Sequence, residues 1–231
     1  MDSFVKAGIE FETLKKIEKH YESERSKFEH IASKMMEDIM RFDGVHSVRY
    51  RVKSTESLMK KILKRCAEGA KINENSYIAE LKDTIGLRAL HVFRSDWERI
   101  YDSLKGYETF GTAEIRVRPG DDLNCYKKII ERDKLKGVVE DSIYRSVHYY
   151  VRKDGCLVEI QARTLFDEAW SEIDHDTRYK GNSPSQTVES LSSSINRLAG
   201  VCDEQAELIK NTINGTDGTA GGIYERLITG K

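Results

Sequence analysis

A carboxylate, an imidazole, an amide and a guanidinium gather within residues 144–164, Tyr-Arg-Ser-Val-His-Tyr-Tyr-Val-Arg-Lys-Asp-Gly-Cys-Leu-Val-Glu-Ile-Gln-Ala-Arg-Thr. Two alternating runs flank Asp154-Gly155, a dipeptide suited to a two-residue type I′ hairpin turn, in which both central residues take positive φ. That turn pairs Lys153 with Cys156. The register then sets Tyr150 opposite Glu159, His148 opposite Gln161 and Ser146 opposite Arg163. Side chains alternate along a strand, so one face carries Ser146, His148, Tyr150, Glu159, Gln161 and Arg163. The other carries Val147, Tyr149, Val151, Val158, Ile160 and Ala162 and is predicted to pack on a core. A merely solvated sheet face tends to be rich in Lys, Glu and Thr; this mixture suits a phosphorylated, hydroxyl-bearing ligand.

Three other segments carry chemistry. Arg49, Arg51 and Lys53 share a strand face, and Ser54 and Ser57 lie at the start of a following helix that carries Lys60 and Lys61. Cations beside helix-end amides can bind a triphosphate, although a solvated basic edge would read the same way. Asp83-Thr-Ile-Gly-Leu-Arg88 comes next. Alone, Asp83 reads as a turn cap; with Glu159 from another strand it makes the carboxylate pair that suits Mg²⁺-dependent phosphoryl transfer. Gly86 is expected to permit close backbone approach. Asp174-His175-Asp176 could be read as a metal motif, but His20, His30, His46 and His91 supply no matching arrangement, so His175 reads as a helix-surface or supporting residue. The run Lys127, Lys128, Arg132, Lys134 and Lys136 could hold an RNA backbone or form a solvated loop face.

The positioning elements follow from periodicity. Residues 9–42 repeat apolar side chains at three-to-four spacing and predict a helix ended by Asp43-Gly44. Val45–Lys53 reads as a strand, and Ser54 as the N-cap of a helix over 55–68 closed by Gly69. A short helix over 76–82 and a buried strand Ile85–Phe93 come next. Ser95-Asp-Trp-Glu98 has a capping-box pattern opening a helix to Leu104. Phe110–Arg118 is a strand, 119–122 a turn, and 123–136 either a mobile loop or a helix. After the hairpin, helices are expected over 165–179 and 186–211, separated by a break at Gly181–Pro184. The last helix aligns Val188, Leu191, Ile195, Leu198, Val201 and Cys202 in a stripe that serves either a core contact or an interface.

Composition narrows the class. The chain has 231 residues with 39% hydrophobic and 33% charged side chains, the composition expected of a soluble and rather polar globular protein. A net charge of −1 argues against a general nucleic-acid binder. No apolar run reaches membrane-spanning length and no secretory leader is legible, so no membrane role is expected. Four scattered cysteines without a Cys-x-x-Cys pair suggest reduced thiols and a cytoplasmic location.

Taken in order, Arg51-x-Lys53, Lys61, Asp83-x-x-Gly-x-Arg88, Tyr144-Arg-Ser-x-His148, Glu159-x-Gln161-x-Arg163-Thr164 and His175…Tyr179-Lys180 resemble the synthetase domain of RelA/SpoT alarmone synthetases. With no room for further large domains, the chain resembles a stand-alone small alarmone synthetase of the stringent response. The resemblance implies an α+β fold, with a nucleotidyltransferase-like mixed sheet of about five strands flanked by helices. It implies an N-terminal helical segment over 1–44, the synthetase domain over 45–180, a C-terminal helix over 181–212 and a flexible tail over 213–231. The implied reaction is Mg²⁺-dependent transfer of pyrophosphate from ATP to the 3′-hydroxyl of GDP or GTP.

The resemblance also implies residue roles. Arg51 and Arg88 would flank the adenine, while Lys53, Ser57 and Lys61 would hold the ATP phosphates. Asp83 and Glu159 would bind Mg²⁺, with Glu159 also taking the proton from the acceptor hydroxyl. Tyr144 would stack on the acceptor base, and His148 and Gln161 would orient the acceptor. Related short synthetases form homotetramers, an assembly that the resemblance leaves open here. One departure concerns the acceptor. The Lys-Pro-Asn-Gly usual before the Tyr-Arg-Ser motif is replaced by Glu140-Asp141-Ser142-Ile143, leaving Lys134 and Lys136 as substitutes. The acceptor therefore stays open among GDP, GTP, other nucleotides and, as in toxic relatives, the 3′ end of tRNA. The remaining alternative is an inactive nucleotide-binding regulatory module.

Overall fold

The computed structural model describes residues 8–106, 110–121, 123–135, 137–140, 143–179 and 185–215. The expected break at Gly181–Pro184, nearly all of the tail, and Lys136, Asp141, Ser142 and Lys180 lie outside the described residues.

The chain begins with helix α1 (Phe11–Ile39), whose Leu14, Ile17, Tyr21, Phe28, Ile31, Met35 and Ile39 are buried along one stripe. Gly44, at φ 85°, takes the left-handed turn that releases the chain into strand β1 (Ser47–Val52). Helix α2 (Thr55–Ala67) follows, with the Ser54 hydroxyl accepting from the Ser57 amide, as the cap pattern predicts. Helix α3 (Tyr77–Glu80), strand β2 (Ile85–His91), a 3₁₀ turn (Arg94–Asp96) and helix α4 (Trp97–Leu104) come next. Then run β3 (Phe110–Arg116), α5 (Asn124–Asp133), β4 (Gly137–Val139), β5 (Ser146–Lys153) and β6 (Cys156–Thr164). Helices α6 (Leu165–Tyr179) and α7 (Gln186–Ile213) close the described chain.

The six strands form one mixed sheet in the order β1-β2-β6-β5-β3-β4. Strands β2 and β6 are parallel, as are β3 and β4; the remaining pairs are antiparallel. Asp154 and Gly155 have φ of 48° and 78°, and the hairpin pairs Lys153 with Cys156, Tyr150 with Glu159 and His148 with Gln161. The turn and these pairs are those predicted from the dipeptide.

Register across the whole sheet builds two unlike faces. One row runs Arg51, Gly86, Glu159, Tyr150; the next runs Arg49, Arg88, Gln161, His148, Glu114. Residues in register share a face, so these rows form a polar surface. On the opposite face Leu87, Ile160, Tyr149 and Ala113 run between them, and Val48, Ala89, Ala162, Val147 and Ile115 run just beyond the second row. This apolar face joins the buried stripe of α1 in one core. Each fully buried large aliphatic or phenyl side chain there contributes about 1.5–3 kcal/mol. The Tyr21 hydroxyl donates to the Lys53 carbonyl and ties α1 to the end of β1, beside the polar face.

Four local features depart from or refine the sequence reading. Residues 123–136 supply a helix, α5, and β4 begins directly afterwards as a sixth strand, too short to carry a periodic signal. Ser95 does not cap α4. Asp96 accepts from the Phe93 amide instead, while Glu207 and Lys210 of α7 take the Ser95 amide and hydroxyl. Gly86 is not sterically required, because an added Cβ would stand 3.7 Å from Arg51 Cγ and Nε, ordinary contact. Finally, the apolar stripe of α7 does not pack on the core. Leu191 and Leu198 are 61% and 62% exposed, whereas Ser192, Asn196, Ala199, Gly200 and Asp203 are buried. Small and polar side chains face inward there because they meet charged groups, described below, that an apolar stripe could not satisfy.

Candidate active site

Two cavities open on the polar face. One, of about 280 Å³, is lined by Arg49, Arg51, Gly86, Arg88, Glu159, Gln161, Glu172 and His175 among others. The other, of about 350 Å³, is lined by Lys61, Arg65, Lys82, Asp83, Glu114, Arg116, Tyr150 and Glu159 among others. Glu159 lies in the wall of both.

Asp83 occupies the loop before β2. Lys53 Nζ stands 2.9 Å from its Oδ2 and Lys61 Nζ 2.7 Å from its Oδ1. Burial pushes the Asp83 carboxyl up, but the two lysines outweigh it and hold the group below the usual carboxylate range. Oδ1 is buried and receives no well-aligned hydrogen bond despite the nearby ammonium. Glu159 is more enclosed, at 8% exposure. Its Oε1 is 3.2 Å from His148 Nδ1 and accepts from the Tyr150 hydroxyl at 3.3 Å; its Oε2 accepts from Gln161 Nε2 at 2.9 Å. Burial raises the Glu159 carboxyl, while His148 and Gln161 more than reverse the effect. Both acids are therefore anionic at neutral pH.

The remaining predicted residues divide by location. Arg51, Arg88 and Gln161 line the first cavity, and Lys61 the second. Lys53 reaches Asp83 without being among the lining residues named for either. Ser57, at the exposed start of α2, accepts from the Ser54 hydroxyl at 2.8 Å. His148 is buried between Glu159 and Ser146, whose Oγ is 2.8 Å from Nε2. Tyr144 is half-buried and lines neither cavity; its ring centroid is 5.1 Å from that of Trp170, and its hydroxyl donates to Asp174 Oδ2 at 3.1 Å.

Sequence reasoning missed two acids. Glu168 and Glu172 of α6 accept from Arg88 Nη1 at 2.8 and 2.5 Å and so fix the guanidinium. Their i,i+4 spacing on one helix face was the available signal. His175, one turn further on, reaches the first cavity. Among the described residues no cluster of three or more His, Cys, Asp or Glu side chains could hold a metal by itself. In the basic run, Arg132 pairs with Asp102 and Asp133, Lys127 donates to Asn124, and Lys128 approaches Glu98 at 3.9 Å. No helix among the described residues is long and apolar enough to cross a membrane.

The fold is that of small alarmone synthetase structures. The crystal structure of small alarmone synthetase 1 from Bacillus subtilis matches with a TM-score of 0.59 and 22% identity, covering 86% of this chain and 97% of that one. The same protein bound to AMPCPP matches at 0.59, with 20% identity over 85% and 99% of the two chains. Bound to its product pppGpp it matches at 0.55, with 20% identity over 81% and 92%. In sequence, GTP pyrophosphokinase YwaC of Bacillus subtilis (strain 168) is 25% identical over 180 residues, 74% of this chain and 76% of that protein. The family model for the region found in RelA/SpoT proteins matches residues 50–184, more than half of the chain, and the chain belongs to that family.

Proposed function

We propose that this protein is an alarmone synthetase that moves the β,γ-pyrophosphate of ATP to the 3′-hydroxyl of GDP or GTP. One observation carries the reading: Glu159, anionic and held by His148, Tyr150 and Gln161, stands where a cavity with Arg49, Arg51 and Arg88 meets a cavity with Lys61 and Asp83. Relatives named as a pyrophosphokinase, and as synthetase structures holding an ATP analogue or pppGpp, support it.

In this reading Arg51 and Arg88 lie against the adenine, with Arg88 held in place by Glu168 and Glu172. Lys53, Lys61 and Ser57 meet the phosphates. Glu159 takes the proton of the 3′-hydroxyl as its oxygen attacks the β-phosphorus; the bond from that phosphorus to the α-phosphate oxygen breaks, and AMP leaves. Asp83 and Glu159 fit Mg²⁺, which prefers one or two carboxylates plus phosphate oxygens and water, and Asp83 Oδ1 is engaged only by the Lys61 ammonium. Such an ion, when bound, supplies charge neutralisation at the phosphate oxygens. Tyr144 stacks on the acceptor base, with Gln161 near its ribose. His148 acts through Glu159. The four free cysteines support a reducing, cytoplasmic setting for the same reading.

The test is terminally labelled ATP with Mg²⁺ and GDP, GTP or deacylated tRNA. Label is expected on the guanine nucleotides. Label on tRNA alone would make the chain a tRNA-modifying relative, and no transfer at all would leave a binding module. Glu159→Gln is expected to lower turnover by a factor on the order of 10²–10⁴ with an unchanged melting profile.

A further inference from the structure

Helix α7 lies beyond the family region matched at 50–184, yet it touches the backbone or side chain of residues on both sides of Tyr144. Asn196 Nδ2 donates to the Ile143 carbonyl at 2.8 Å. Arg145 Nη1 donates to Asn196 Oδ1 at 2.7 Å and to the Asn196 carbonyl at 3.2 Å. One amide thus brackets the tyrosine from the residue before and the residue after. One turn earlier on α7, Ser192 Oγ donates to Asp174 Oδ1 at 2.9 Å, while Tyr144 donates to the other oxygen of that carboxylate at 3.1 Å. Trp170, which packs against the Tyr144 ring, donates its indole N–H to the Ser192 carbonyl at 3.0 Å. One turn later, a Cβ on Gly200 would stand 2.7 Å from Arg145 Nη2. That guanidinium cannot easily swing aside, because Asp121 holds its Nε at 2.7 Å and its Nη2 at 2.9 Å.

The contacts continue inward. Arg163 lies 5.6 Å over the Tyr144 ring, donates to Gln161 Oε1 at 2.8 Å, and Gln161 in turn donates to Glu159. We infer that Asn196 and Ser192 are positioning residues for Tyr144: the buried polar face of α7, outside the matched family region, sets the stacking surface offered to the acceptor nucleotide. Asn196 is 3% exposed and Ser192 7%, so both act through these hydrogen bonds and not by touching ligand. A buried amide that satisfies a carbonyl and a guanidinium is costly to remove, since both partners are left unpaired. The inference rests on the reading of Tyr144 as the acceptor-stacking residue.

A double-mutant cycle tests it in the full-length protein, with KM measured separately for GDP and ATP. Tyr144→Ala and Asn196→Ala are each expected to raise the GDP KM roughly tenfold with the ATP KM unchanged. The double variant is expected to match Tyr144→Ala alone, because without the ring there is nothing for Asn196 to position. A fold defect would move kcat and both KM values together and would persist in the Tyr144→Ala background. If Asn196→Ala proves unfolded at the assay temperature, Ser192→Ala, which removes one hydroxyl, takes its place in the cycle with an effect of roughly threefold. Effects that multiply in the double variant, or an unchanged GDP KM in the α7 variant, would overturn the inference while leaving the acceptor reading intact. An unchanged GDP KM in Tyr144→Ala itself would overturn both.

Discussion

At the scale of single residues, the candidate site holds two acids in their charged form inside a partly closed space. Glu159 would titrate high if burial acted alone; His148 is the largest influence that pulls it down. Removing the imidazole in His148→Ala leaves burial less opposed, so the Glu159 carboxyl rises. The acidic limb of the kcat/KM profile is then expected to move to higher pH, with activity above the new limb partly retained. A pH–rate profile of the variant measures the shift, and an unmoved limb would separate His148 from the base. The sequence showed the members of this group well, since hairpin register follows from a two-residue turn and alternation does the rest. It did not show that His148 spends both ring nitrogens on Glu159 and Ser146, nor that Glu168 and Glu172 converge on Arg88. Such contacts depend on where α6 crosses the sheet, which local spacing leaves undetermined.

Among elements, α7 is where pattern reading was least informative. Its apolar stripe was easy to see, and an apolar stripe ordinarily marks the buried side of a helix. Here the buried side carries Ser192, Asn196 and Asp203 because the surface beneath is itself charged. Asp203 accepts from the Thr164 hydroxyl at 2.8 Å, and its second oxygen has no hydrogen-bond partner. Burial, reinforced by nearby Asp167, pushes the Asp203 carboxyl up, and burial also raises Asp167. The folded state therefore keeps protons that the unfolded chain gives up. The contribution of these two groups to stability is fully present below the ordinary carboxylate range and is lost as pH rises from there toward neutrality. Melting temperature is expected to decline over that window, and Asp203→Asn is expected to flatten the decline. A variant whose melting temperature follows the same pH curve would assign the effect elsewhere. Helix α1, by contrast, was legible throughout, because its stripe meets the apolar face of the sheet and propensity and packing agree.

For the whole molecule, the outward stripe of α7 has a measurable consequence. Leu191, Ile195, Leu198, Val201, Leu208, Ile209 and Ile213 are all exposed along this one helix. Self-association of the chain would cover such a surface. Light scattering is expected to give a mass above that of one chain, and Leu191→Lys with Leu198→Lys to reduce it; a monomeric parent protein would remove the expectation. A different consequence follows from the turn at Asp154-Gly155. Pairing has a period of two, so one extra residue in that tight connection would shift the partner strand by a single step. Glu159 and Gln161 would then point into oil, and Val158 and Ile160 would greet the nucleotide. Two residues that line neither cavity thus decide which side of the molecule is chemically alive.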